Sequence, residues 1–189
     1  MTETRDWKGM KDMMARLLEE RTGEELATWN ERIQQEHLDD EQSLRAWLGE
    51  RGVTGYAQTL LVMERFGYPE WYLASADALI DGQYADRSQL RPILDTIIAA
   101  AAEVGDIVVQ ARKTYVSLVT PRRTFARVQP TTRNRVDLAL RLEAEQPGER
   151  LRPSRIHETM PLQVNLTTPA EVDAEVRGWL RQAYDENCC

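Results

Sequence analysis

The chain has 189 residues, of which 42% are hydrophobic and 29% are charged, and its formal net charge is −7. This composition is typical of a soluble globular protein and excludes a disulfide-stapled fold, because the only cysteines are Cys188 and Cys189. No apolar run approaches the roughly 20 residues that a membrane-spanning helix needs, and the first residues lack a secretory pattern. We therefore expect a cytoplasmic protein without a membrane partner, whose two cysteines lie in a disordered tail.

The first seventy or so residues repeat the helical spacing of apolar side chains four times. Thr22 and Glu25 have the spacing of a capping box at the start of the second helix, and Gly52 follows the third helix as a terminating glycine would. Three apolar residues are expected to meet in a small core: Trp29, Trp47 and Leu60. The pattern predicts a small helical domain over residues 1–73.

A second domain is predicted over residues 74–189, beginning with a long helix from Ser88 to Gly105. After Gly105 the apolar period changes to two, which indicates strands. The predicted strands are Ile107–Val109, Thr114–Thr120, Thr124–Gln129 and Val136–Leu142, with a last one in "PLQVNLTT". A final helix follows Thr168, with Pro169 at its first position. The order of elements predicts an α+β fold, in which an antiparallel sheet is layered with two helices.

Basic residues are concentrated in the predicted strands. Between Ala111 and Arg155 there are eleven Lys or Arg residues and four acidic ones, a net charge of +7, although the whole chain is acidic. Such asymmetry indicates an anionic partner, or attraction between two parts of one protein.

Strand parity predicts that one face of the sheet combines Tyr115, Arg127 and Arg135, because alternate residues of a strand share a side. Arg123 and Arg133 are further candidates for the same surface. Guanidinium groups beside an aromatic ring suit phosphate, carboxylate or a stacked base. The alternative is a solvated face whose arginines pair with acidic residues of the helices.

Two resemblances cover nearly the whole chain. The stretches "ARLLEERTGEELATWNERI" and "LRAWLGERGVTGYAQTLLVM" resemble a small bacterial helical module, domain of unknown function 4287. The stretches "ALIDGQYADRSQLRPILDTI", "KTYVSLV", "FARVQP" and "TTRNRVDLALRL", in this order, resemble domain of unknown function 5655. The second resemblance implies an α+β fold and brings no established activity. Its relatives accompany restriction-type nuclease regions, which hints at nucleic acid.

No catalytic residue, metal ligand or cofactor is assigned from the sequence. His37 lies among acidic residues at a junction between helices, where capping is favoured over metal binding. His157 lacks the second histidine of a zinc motif and is interpreted as a loop residue. A ligand cavity at the domain junction, lined by Trp71, Tyr72 and Tyr84, stays open.

Three classes of function follow. The favoured one is a non-catalytic binding module whose Arg-rich sheet holds an anionic partner, with nucleic acid as one candidate. Its helical domain would dock another protein or form a homodimer. The alternatives are a sequestering or resistance protein that binds a small molecule in the aromatic cavity, and an enzyme with an unrecognised carboxylate site.

Overall fold

A computed structural model describes residues 3–5, 7–143 and 145–188. The chain forms two compact units, one from Trp7 to Ala74 and the other from Met1–Asp6 together with Ser75–Cys189. Helices make up the first unit and a sheet with helices the second, so the predicted α+β fold class is confirmed. None of the helices in the described ranges is long and apolar enough to cross a membrane.

The first unit contains five helices. They are α1 (Trp7–Thr22), α2 (Leu26–Gln35), α3 (Glu41–Glu50), α4 (Gly55–Phe66) and α5 (Glu70–Leu73). Trp29 and Trp47 meet edge to face in its core with ring centroids 6.1 Å apart, as predicted. Leu60 is buried, but Leu61 is the leucine of this helix that packs in the cluster of the two tryptophans. Edge-to-face pairs of this kind add stabilisation beyond the area that they bury.

The helix ends explain most of the predicted boundaries in this unit. Asp40 is the N-cap of α3 and accepts a hydrogen bond from the Ser43 backbone N–H at 2.8 Å. Gly52 follows α3 with a φ of +76°, a conformation that glycine adopts at little cost. The predicted capping box at Thr22 is wrong. Thr22 ends α1, and its hydroxyl accepts from Trp29 Nε1 at 3.1 Å instead of capping α2.

Within the described ranges, the second unit contains seven strands and three α-helices. The strands are β1 (Glu3–Arg5), β2 (Val108–Ala111), β3 (Val116–Val119), β4 (Thr124–Thr132), β5 (Arg135–Leu140), β6 (Arg152–Pro153) and β7 (Leu162–Leu166). The helices are α6 (Ala76–Tyr84), α7 (Arg91–Ala102) and α8 (Ala174–Cys188). A short 3-10 turn, Ser88–Leu90, opens the region predicted as one long helix.

The seven strands form one sheet in the order β1-β2-β3-β4-β5-β7-β6. All neighbours are antiparallel except β1 and β2, which pair in parallel. The sequence did not predict β1, because three residues are too short to show a period. Residues 3–5 therefore belong to the sheet and not to the helical unit.

A register shift between Leu118 and Val119 changes the side on which Phe125 lies. Leu118 pairs with Ala126 and Val119 pairs with Thr124, which leaves Phe125 as an extra residue. Parity alone predicts that Phe125 and Arg127 share a side, but Phe125 is buried against the ring of Tyr184 in α8. A bulge of this kind moves one residue out of the alternation.

The C-terminal helix begins later than predicted. Thr168 and Glu171 form a capping box around a single 3-10 turn, Pro169–Glu171, and α8 starts only at Ala174. The Asp173 carboxylate accepts from the Val176 backbone N–H at 3.1 Å and so begins the second helical segment. Cys188 is the last residue of α8 and not part of a disordered tail, whereas Cys189 lies outside the described residues.

Candidate functional site

Polar side chains line up across the face of the sheet opposite the apolar one. Strand pairing places Ser117 opposite Arg127, and Gln129 opposite Asp137. On the other face the aligned residues are apolar: Val116, Val128, Leu138 and Val164. The two rows alternate as a half-buried sheet requires. We call the row of Ser117, Arg127, Gln129, Asp137 and Gln163 the polar face.

The polar face is only partly open. Ser117, Asp137 and Gln163 are buried. The segment between β5 and β7 lies against it, because the Arg155 backbone N–H donates to Gln163 Oε1 at 2.7 Å. Arg127 and Gln129 keep partial exposure. In this row, solvent access is therefore concentrated around these two residues.

Arg135, at one end of this face, is neutralised within the protein. Its Nε lies 2.8 Å from Asp137 Oδ1 as an ion pair, without the alignment of a hydrogen bond, and Nη2 donates to Oδ2 at 3.3 Å. Thr131 Oγ1 donates to the same Oδ2 at 2.8 Å. The Asp137 side chain is 2% exposed and that of Arg135 is 38% exposed. Arg135 is therefore occupied by a carboxylate of its own strand.

Arg127 has a different environment. Its guanidinium lies over the ring of Tyr115, with Cζ 3.6 Å from the ring centroid. Its Nη2 donates to Gln129 Oε1 at 2.7 Å, while its buried Nε has no hydrogen-bond partner among the described residues. The contact with Tyr115 follows from strand pairing, since Ser117 is opposite Arg127 and Tyr115 is two residues earlier. The ring orients the guanidinium without neutralising it.

Arg141 and His157 extend this environment. Arg141 Nε donates to the Thr124 carbonyl at 3.1 Å, and its Nη2 donates to Thr159 Oγ1 at 2.8 Å. The Thr159 backbone N–H donates to His157 Nδ1 at 3.2 Å. A ring nitrogen that accepts carries no proton, so the neutral imidazole of His157 has its proton on Nε2. We call Tyr115, Arg127, Arg141 and His157 the Arg127 cluster.

The electrostatics of the cluster are those of crowded, desolvated cations. Burial lowers the pKa of Arg127 below its usual value. Burial also lowers the pKa of Arg141, and the nearby charge of Arg123 lowers it further. The pKa of His157 is lowered first by burial and then by the charges of Arg127 and Arg141. Each shift indicates a place where positive charge is destabilised.

Among the residues that the structure describes, no carboxylate oxygen lies within 4.0 Å of a guanidinium nitrogen of Arg123, Arg127 or Arg141. Several other cations of the chain are paired with a carboxylate. Examples are Lys11–Glu64, Arg32–Glu24, Arg91–Asp95, Arg150–Asp173 and Arg177–Glu103. The described residues therefore offer the arginines of the cluster no close ion pair, although the charge of Glu143 acts on Arg141 and that of Glu158 on His157.

The remaining predicted arginines occupy different positions. Arg123 lies just before β4, partly buried, and its charge acts on Arg141. Arg133 is exposed in the turn between β4 and β5, and its charge helps to lower the pKa of Asp86 after the larger effect of Arg87. The structure thus groups Arg123 with the Arg127 cluster and places Arg133 near Asp86.

The three aromatic candidates divide between the units. Trp71 and Tyr72 lie in α5 of the first unit, with ring centroids 6.1 Å apart, and burial raises the pKa of Tyr72. Tyr84 ends α6 of the second unit, and burial raises its pKa well above the usual value. The predicted aromatic cavity stays a prediction.

The cluster also contains residues that sequence reasoning did not select. Arg141 continues the parity of Arg135 and Asp137 beyond the end of β5, so extending the alternation by two residues would have found it. His157 comes from an irregular loop, and no sequence signal predicts where its ring lies. The described ranges contain no group of three or more His, Cys, Asp or Glu side chains that could hold a metal ion, so His37 has no such set around it.

Comparison with known proteins gives one match. The family described as Domain of unknown function (DUF5655) matches residues 80–187, which include the strands β2 to β7 and the whole Arg127 cluster. No curated protein and no solved structure matches the chain. Since the matched region is more than half of the 189 residues, the chain belongs to the DUF5655 family.

Proposed function

We propose that the protein is a non-catalytic binding module that holds an anionic partner at the Arg127 cluster. The observation that carries the proposal is the guanidinium of Arg127, which is partly buried, stacked on Tyr115 and without a carboxylate partner in the described ranges. Removing a cation from water is costly unless an anion accompanies it. A ligand anion would supply the missing charge.

The donor types favour an oxygen-rich anion. Arg127 and Arg141 are forked donors that match phosphate or carboxylate, and the neutral His157 adds an Nε2–H donor. Tyr115 supplies an aromatic plane beside the charge. Cations interleaved with aromatic rings are also how proteins hold single-stranded nucleic acid, so we propose nucleic acid as the partner to test first.

The test is a salt titration of binding to a fluorescent single-stranded oligonucleotide. Each phosphate contact that is lost should reduce the slope of log K against log salt by about 0.7, the value for a single strand. We expect Arg127→Gln and Arg141→Gln each to flatten the slope by that amount. Arg177→Gln is the matched control, because Arg177 is paired with Glu103 at 2.8 Å. An unchanged slope in both cluster variants would contradict the proposal.

We propose in addition that the first unit is a module of the kind called domain of unknown function 4287 and that the protein is bacterial and cytoplasmic. The support is the helical pattern of "ARLLEERTGEELATWNERI" and a composition with only two, adjacent cysteines. Fluorescence microscopy of the tagged chain tests the location. Export from the cytoplasm would contradict it.

A further inference from the structure

A cavity of about 320 Å³ adjoins the Arg127 cluster within the second unit. Its walls come from α6, from the turn before β3 and from β4, and include Gly82, Gln83, Arg87, Lys113, Thr114 and Gln129. Gln129 connects the cavity to the cluster, since its Oε1 accepts from Arg127 Nη2 at 2.7 Å. With Oε1 held in this way, the Nε2 group of Gln129 is left to donate elsewhere.

The buried side-chain amide of Gln83 supports the turn that contains Lys113 and Thr114. Gln83 is 8% exposed, and its Nε2 donates to the carbonyls of Arg112 at 2.7 Å and Tyr115 at 3.3 Å. The Arg112 backbone N–H closes the turn on the Tyr115 carbonyl at 2.9 Å. Gln83 therefore fixes the two residues between these carbonyls. Lys113 and Thr114 are presented on a supported turn and not on a free loop.

The charge of the cavity is positive. Asp86 is neutralised by Arg87, with Nε at 2.7 Å and Nη2 at 3.1 Å from its oxygens, and Arg87 Nη1 donates to the Pro130 carbonyl at 3.0 Å. Asp86 and Arg87 therefore neutralise each other within the protein. Lys113 is exposed, and among the described residues no carboxylate lies within 4.0 Å of its ammonium group. The groups left to meet a ligand are the donors of Lys113, Thr114 and Gln129.

We propose that this cavity takes a second anionic group of the ligand whose first anionic group is held at the Arg127 cluster. The proposal rests on the proposed function. Arg127 and Gln129 are two residues apart on one strand, which separates their backbones by roughly 7 Å. The shared ligand chemistry is a unit of two linked phosphates. It occurs in a nucleic-acid strand and in a small diphosphate.

The test compares inorganic phosphate, pyrophosphate and a 5′-phosphorylated dinucleotide by isothermal titration calorimetry of the full chain. Hydrogen bonds to charged groups correspond to about a tenfold or larger change in affinity. We therefore expect at least one of the two-phosphate probes to bind about tenfold tighter than inorganic phosphate. A gain for the dinucleotide assigns the unit to a strand, and a gain for pyrophosphate alone assigns it to a small diphosphate.

Two variants locate the gain. Lys113→Gln removes the free charge from an exposed side chain, and Gly82→Leu places bulk at a helical position in the cavity wall. A Cβ built at Gly82 meets no atom within 4 Å, so the backbone has room for a side chain at this position. Both variants should lose the tenfold advantage of the second phosphate and keep binding of inorganic phosphate. Gly178→Leu, at a helical glycine with equally open surroundings, is the control and should change neither.

The outcomes separate the two proposals. If inorganic phosphate binds but neither probe gains from a second phosphate, or if Lys113→Gln and Gly82→Leu leave the gain intact, the second subsite is wrong and the binding function stands. If none of the three probes binds and Arg127→Gln leaves the salt dependence of oligonucleotide binding unchanged, both proposals fail together.

Discussion

Two arginines of the polar face, Arg135 and Arg127, differ in whether a carboxylate of the protein pairs with them. Arg135 is paired at 2.8 Å with a carboxylate two positions along its own strand, and that carboxylate also accepts from Thr131. Arg127 is stacked on Tyr115 and bonded to a neutral amide. An arginine of this sheet is thus paired or left without a carboxylate according to whether an acidic side chain lies next to it on its own strand. Counting arginines does not distinguish the two.

The largest expected effect comes from breaking the ion pair between Arg135 and Asp137. Arg135→Met leaves the Asp137 carboxylate buried with only Thr131 as a partner, which should cost about 2 to 3 kcal/mol of unfolding free energy. We expect less than the cost of breaking a fully buried pair, because the Arg135 side chain is 38% exposed. Urea unfolding measures the loss.

Arg127→Met is the counterpart of Arg135→Met. It removes a desolvated charge without stranding a carboxylate, so the free energy of unfolding should change by less than about 1 kcal/mol. The double variant Arg135→Met, Asp137→Leu is the control for Arg135→Met and should recover most of its loss. Equal destabilisation by Arg127→Met and Arg135→Met would contradict the contrast between the two arginines.

A second prediction concerns a variant in which Arg135, like Arg127, has no carboxylate partner. Asp137→Asn keeps an acceptor for Thr131 and frees the charge of Arg135, so the protein should bind a single-stranded oligonucleotide more tightly. The slope of log K against log salt should steepen by up to about 0.7. Adding Arg135→Gln to Asp137→Asn should return the slope to that of the unchanged protein. A slope that Asp137→Asn does not alter would mean that Arg135 cannot reach the ligand.

The smallest expected effect is a pH dependence of the unfolding free energy that comes from His157 in the Arg127 cluster. The pKa of His157 is lowered in the folded protein by burial and by Arg127 and Arg141, so the unfolded chain takes up this proton first as the pH falls. The contribution to stability is complete above the unfolded pKa, near 6.5, and is lost as the pH falls through the folded pKa. Unfolding curves between about pH 8 and pH 5 should contain this loss, and His157→Gln should remove it.

Arg127→Gln tests the cause of that shift directly. Without the Arg127 charge, the pKa of His157 should rise towards its ordinary value, and an NMR titration of the ring protons measures it. Arg177→Gln should leave the titration unchanged. An unaltered His157 pKa in Arg127→Gln would show that Arg127 does not act on the imidazole.

The fold could be predicted from sequence to a large extent, because helical and strand periods are local properties. The bounds of α3 and α4 follow from apolar spacing and from punctuation such as Gly52, and the spacing also places α2, although its predicted cap is wrong. The predicted strands overlap β2, β3, β4, β5 and β7 for the same reason. In the sheet, the predictions that failed were non-local. The side on which Phe125 lies depends on a register shift, and β1 depends on pairing with residues more than a hundred positions away.

The candidate site could be predicted only in part. Parity brings Tyr115 to the strand row of Arg127, and it also brings Asp137 to the row of Arg135, which foretells the neutralised pair. Parity cannot predict the position of the His157 ring, because that residue lies on a loop. It also cannot predict the hydrogen bond from Gln83 to the turn, because Gln83 lies on a helix. Long-range contacts of single side chains leave no periodic trace in the sequence.

The parallel strand Glu3–Arg5 has a consequence for any division of this chain. Because this strand precedes the helical unit in sequence but pairs with Val108–Gln110, a single cut between Ala74 and Ser75 does not release an intact sheet. The excised C-terminal fragment would bare a row of backbone amides and carbonyls along β2, the kind of rim that recruits strands from other molecules. Expression of that fragment alone would invite self-association, whereas a chain in which a short linker replaces the helical unit would keep its rim covered.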